Sequence, residues 1–82
     1  MIESEGVKFE LINGVKSAHI EVFVNGIKFT SKCEGLADEQ IMRNELFLDV
    51  IDAIDNTFQV DDDDMDIIDP KLREITGWRK RG

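Results

Sequence analysis

This chain of 82 residues has one cysteine, one proline, one histidine, one tryptophan and no tyrosine. A lone Cys33 excludes a framework of internal disulfides. With His19 as its only companion, it is also too few soft ligands for a zinc site. No apolar run approaches the roughly 20 residues that cross a membrane. The opening Met1-Ile2-Glu3-Ser4-Glu5 lacks the basic and apolar regions of a secretory signal. A cytoplasmic protein is therefore expected, in a bacterium or, if viral, in the host cell. The six glycines are scattered, so no glycine-rich phosphate loop exists.

Charge is what the chain has in excess. Residues 1–33 balance four acids against four lysines, and residues 34–69 hold thirteen acids against one base, Arg43. Residues 70–82 reverse the sign, with five bases against Glu74. Such asymmetry speaks to partners and steering, not to fold.

Two Asn-Gly pairs, Asn13-Gly14 and Asn25-Gly26, carry the strongest local signal. A two-residue type I′ hairpin turn needs positive φ at both central positions, which Asn-Gly tolerates best. The first turn sets Ile12 opposite Val15 and Phe9 opposite Ala18. The second sets Val24 opposite Ile27, Val22 opposite Phe29 and Ala18 opposite Cys33. Both registers place Val7, Phe9, Leu11, Ala18, Ile20, Val22, Val24, Ile27, Phe29 and Cys33 on one face. A slip of one residue would invert every side chain. The spacing predicts a three-stranded antiparallel meander over 6–13, 15–25 and 26–33.

A helix is expected to cover that apolar face. Asp38 is a suitable N-cap, and no Gly or Pro interrupts the chain from there to Phe58. Met42, Leu46, Phe47, Val50, Ile51, Ala53, Ile54 and Phe58 make the apolar side of this long amphipathic helix. Arg43 points the same way and is expected to snorkel outward. Residues 59–69 read as an acidic loop, since five of the six residues 61–66 are Asp. Asp69-Pro70 then reads as N-cap and first residue of a short C-terminal helix ending at Gly77. The fold class is α+β in one domain, 1–82, with a basic tail and flexible ends at 1–5 and 78–82. A chain this short buries only roughly 60 % of its unfolded surface, so its core is thin.

Catalysis finds little support. His19 falls on the polar sheet face between Lys8 and Lys32, and Cys33 falls on the opposite one, so they cannot share a proton. No EF-hand frame fits the Asp run: a loop opening at Asp62 has Ile67 for the glycine and Arg73 for the final glutamate. Opening at Asp63 puts Met65 on a ligand position. No enzyme, cofactor or metal site is expected.

Two functional classes remain. In the first, the chain is a nucleic-acid-mimicking inhibitor of the kind used by phages and mobile elements. Glu45, Asp49 and Asp52, with Asp55 nearby, follow one line on the helix, spaced by about 4–6 Å along its axis. That is of the order of the charge spacing along a nucleic-acid strand. Asp61, Asp62, Asp63 and Asp64 extend the track. The partner would be the basic groove of a nuclease, polymerase, repair enzyme or regulator, with no direct nucleic-acid or membrane binding. Leu48, Trp78 and Arg79 are secondary contact candidates. In the second class, the chain is an assembly or adaptor module that self-associates, as a homodimer for instance, through a sheet edge or its tail.

Overall fold

The computed structural model describes residues 2–35 and 38–80. Four strands, β1 (Ile2–Ser4), β2 (Lys8–Ile12), β3 (Val15–Val24) and β4 (Ile27–Glu34), precede two helices, α1 (Glu39–Phe58) and α2 (Asp62–Thr76). The α+β class stands, with four antiparallel strands in place of three. Both hairpin registers match the sequence: Ile12 faces Val15, Phe9 faces Ala18, Val24 faces Ile27 and Ala18 faces Cys33. Asn13, Gly14, Asn25 and Gly26 all take positive φ, as type I′ turns require.

The extra strand is β1, so residues 2–4 are not a loose end. β3 is central, with β4 along one side and β1 and β2 end to end along the other. Ser4 faces Val22, whereas Lys8 faces His19, so three residues on one side oppose two on the other. This is a bulge, and it switches the side-chain alternation from even to odd positions. Ile2 thereby reaches the core on the wrong parity for the β2–β3 register. The Ser4 hydroxyl bridges the gap, accepting from the Gly6 N–H (3.1 Å) and donating to the Glu21 carbonyl (2.6 Å).

Asp38 caps α1 as expected, its side chain accepting from the Gln40 N–H at 2.8 Å. The helix lays Met42, Leu46, Phe47, Val50 and Ile54 on Ala18, Ile20, Val22, Val24 and Phe29 of the sheet. Val7 and Phe9 pack at the margin of this core, and Leu72 completes it from α2. Each such side chain contributes roughly 1.5–3 kcal/mol by leaving water. Arg43 does not snorkel. It is half-buried, donates from Nη1 to the Thr76 carbonyl (3.1 Å) and lies over the Phe9 ring at 4.9 Å.

The acidic segment is not a loop. Asp61 is the N-cap of α2, accepting from the Asp64 N–H at 2.9 Å, and Asp62, Asp63 and Asp64 fill the first turn. Carboxylates there complement the positive end of the helix dipole. Pro70 therefore sits inside the helix and not at its start. It leaves the Asp66 carbonyl without a helical donor, a loss that solvent offsets because both residues are exposed. Ile68, Leu72, Ile75 and the Asp61 cap hold the longer helix against the preference of Pro70.

The tail is tied down through residue 79. Trp78 is half-buried, its ring 5.8 Å from that of Phe47, with the Arg73 guanidinium 4.1 Å over it. Asn44 pairs with the backbone of Arg79, donating to its carbonyl (3.0 Å) and accepting from its N–H (3.1 Å). Gln40 donates to the Gly77 carbonyl at 2.9 Å. The end of the basic tail, Arg81-Gly82, lies outside the described residues.

Candidate acidic interface

The acidic residues that sequence reasoning joined into one track occupy three settings. Glu45 and Asp49 stand on the shoulder of α1 that faces β4, where Asp49 accepts from the Ser31 hydroxyl at 3.0 Å. Burial, with Glu45, Asp49 and Glu34 adding negative charge, pushes the Cys33 thiol above its ordinary pKa. The thiol there is a poor nucleophile.

Asp52 and Asp55 stand on the rim of a cleft between α1 and α2. Leu48, Asp49, Ile51, Met65 and Asp69 complete its lining, and its volume is about 520 Å³. Leu48 is half-exposed at 52 %. Apolar floor and acidic rim thus come from both helices. Asp61 and Asp64 open instead onto a second cleft of about 640 Å³, with Ile2, Val24, Phe58, Val60, Ile67, Ile68 and Lys71. Asp62 and Asp63 are exposed in the first turn of α2. Trp78 packs on Phe47 and Arg73, while Arg79 is exposed and held through its backbone.

The acids between residues 34 and 69 divide into structural and uncommitted charge. Glu34 pairs with Lys32, Glu39 with Lys16 and Asp69 with Arg73. Asp38 and Asp61 cap helices, and Asp49 takes the Ser31 hydroxyl. Asp62, Asp63 and Asp64 favour the start of α2 through its dipole. Glu45, Asp52, Asp55 and Asp66 remain. All four are exposed and have no ion pair among the described residues. Among the described residues, the Asn56 amide, 3.5 Å from Asp52, is the one side-chain group within hydrogen-bond range of these carboxylates. Asp66 escaped sequence reasoning because residues 59–69 read as a loop. As helix, it lies one turn from both Asp62 and Asp69.

No group of three or more His, Cys, Asp and Glu side chains could hold a metal ion among the described residues. No helix is long and apolar enough to cross a membrane among them. Comparison with protein-family models, with curated proteins and with solved structures returned no match.

Proposed function

We propose that this chain is a non-catalytic binding protein whose acidic surface, carried by α1 and α2, enters the basic groove of a nucleic-acid-processing protein in place of nucleic acid. One observation carries the reading. Arg43, the single base among residues 34–69, is withdrawn from the acidic face and spent on the Thr76 carbonyl and the Phe9 ring. Among the described residues Glu45, Asp52, Asp55 and Asp66 have no counter-ion, so their field reaches solvent and steers a basic partner. The apolar floor of Leu48, Ile51 and Met65 adds contact that a purely solvating surface does not need.

The test is capture from a lysate of the organism that encodes the chain or of its host, at low salt, with and without excess duplex DNA. Partners whose capture DNA abolishes, and whose own DNA binding the chain abolishes, support mimicry. Partners that bind the chain and DNA together refute it.

A further inference from the structure

The β2 edge of the sheet has no strand beside it among the described residues, since β3 has β2 on one side and β4 on the other. Backbone direction along this edge follows from the register. The Gly35 N–H donates to the Lys16 carbonyl at 3.1 Å, so the Lys16 backbone faces the β4 side of β3. Leu11, opposite Lys16, therefore turns its N–H and C=O away from β3. By alternation Phe9 does the same. Among the described residues, Phe9 and Leu11 thus offer unpaired backbone groups at the open edge.

We propose that this edge pairs with the same edge of a second copy, antiparallel about a two-fold axis at Phe9, making one eight-stranded sheet. The register is selected by charge. Phe9 opposite Phe9 of the second copy sets Lys8 against Glu10 of the other chain, twice, and Val7 against Leu11, twice. Sliding by two residues in either direction places Glu10 opposite Glu10 or Lys8 opposite Lys8, and like charges directly opposed destabilise a pair. Lys8 and Glu10 would face each other at non-hydrogen-bonded positions, where side chains approach most closely.

Two features of the single chain fit this occupant. Glu10 has no ion pair among the described residues, and Lys8 has only the exposed Glu5, at 2.7 Å. Leu11 lies on the face that carries the core yet is 71 % exposed, and Val7 of a second copy would cover it. The β4 edge is a poorer candidate. Its Lys28 and Lys32 are already paired, with Glu21 and Glu34, and α1 packs against this strand. Because β4 and β2 lie on opposite sides of β3, the Glu45 shoulder stays free in the dimer.

Sedimentation velocity of the full chain tests this, with Lys8→Glu, Glu10→Lys and an equimolar mixture of the two variants. Wild type should pass from monomer to dimer over about 10–500 µM, as suits a short interface. Each variant alone opposes like charges and should stay monomeric over that range. The mixture restores Lys against Glu at both crossings and should dimerise like wild type. Circular dichroism melts confirm that both variants fold. Monomeric wild type at all concentrations, a variant that dimerises alone, or a mixture that stays monomeric would each overturn the proposal.

Discussion

The Arg43 guanidinium lies against the bare Cα of Gly77: a Cβ placed there would stand 3.0 Å from Nη1. This contact joins α1 to the end of α2 and, through the Phe9 ring, to β2. Gly77 also holds φ at 77°, where it caps α2 by donating to the Arg73 carbonyl. Gly77→Ala should cost about 1–2 kcal/mol, mostly from the left-handed backbone. In a domain of this size that lowers the melting temperature by roughly 4–8 °C per kcal/mol. An unchanged melt would mean that the α2 terminus is not locked in this way.

Pro70 gives the opposite sign. Inside a helix a proline costs up to about 3 kcal/mol relative to alanine, whereas at the first helical position it is welcome. Pro70→Ala should therefore stabilise the protein, seen as a higher urea midpoint at unchanged slope. Loss of stability would put the start of the helix at Pro70 and return residues 61–69 to a loop.

The two groups of acids should respond differently to neutralisation. Asp61→Ala removes the α2 cap at a cost of about 1 kcal/mol. Asp62→Asn and Asp63→Asn forfeit about 0.3–1 kcal/mol each of dipole stabilisation at low salt. Glu45→Gln and Asp55→Asn should leave the melting temperature unchanged or slightly raised. Equal effects across both groups would contradict the division of roles between the α2 start and the α1 face.

What was legible followed local rules, and what was missed followed from their interaction. Asn13-Gly14 and Asn25-Gly26 fixed both registers because the turn geometry and the alternation of apolar residues agreed. Ile2 was hidden because the bulge at residues 5–7 moves it to the other parity. The start of α2 was hidden because a run of aspartates looks the same as a solvated loop and as a capped, dipole-stabilised first turn. Pro70 argued for the wrong boundary, overridden by Ile68 and Leu72 docking on the core. Trp78 read as a contact residue, and its packing on Phe47 needed a tertiary contact that no spacing reveals. Of the candidate site, Glu45, Asp52 and Asp55 were found by helical spacing. Asp66 required knowing that its segment is helical.

Cys33 supplies a dependence on pH. Its thiol is held protonated by burial and by the neighbouring carboxylates, Glu45 first among them. The unfolded chain therefore releases this proton at lower pH than the folded one, so stability falls as pH rises through the ordinary thiol range. Below that range the effect vanishes. Alkylation by iodoacetamide at neutral pH should be slower than for a free thiol and should speed up in Glu45→Gln. A Cys33→Ala protein with the same alkaline loss of stability would assign that loss elsewhere.

The proposed function stands or falls on Glu45, Asp52, Asp55 and Asp66. With a captured partner purified, its affinity for wild type and for the Glu45→Gln, Asp52→Asn, Asp55→Asn, Asp66→Asn variant should be measured calorimetrically from about 50 to about 300 mM salt. Wild-type binding should weaken by about tenfold or more across that range, while the variant binds weakly at low salt with little further dependence. A correctly folded variant that matches wild type in affinity and in salt dependence would contradict the acidic-face assignment.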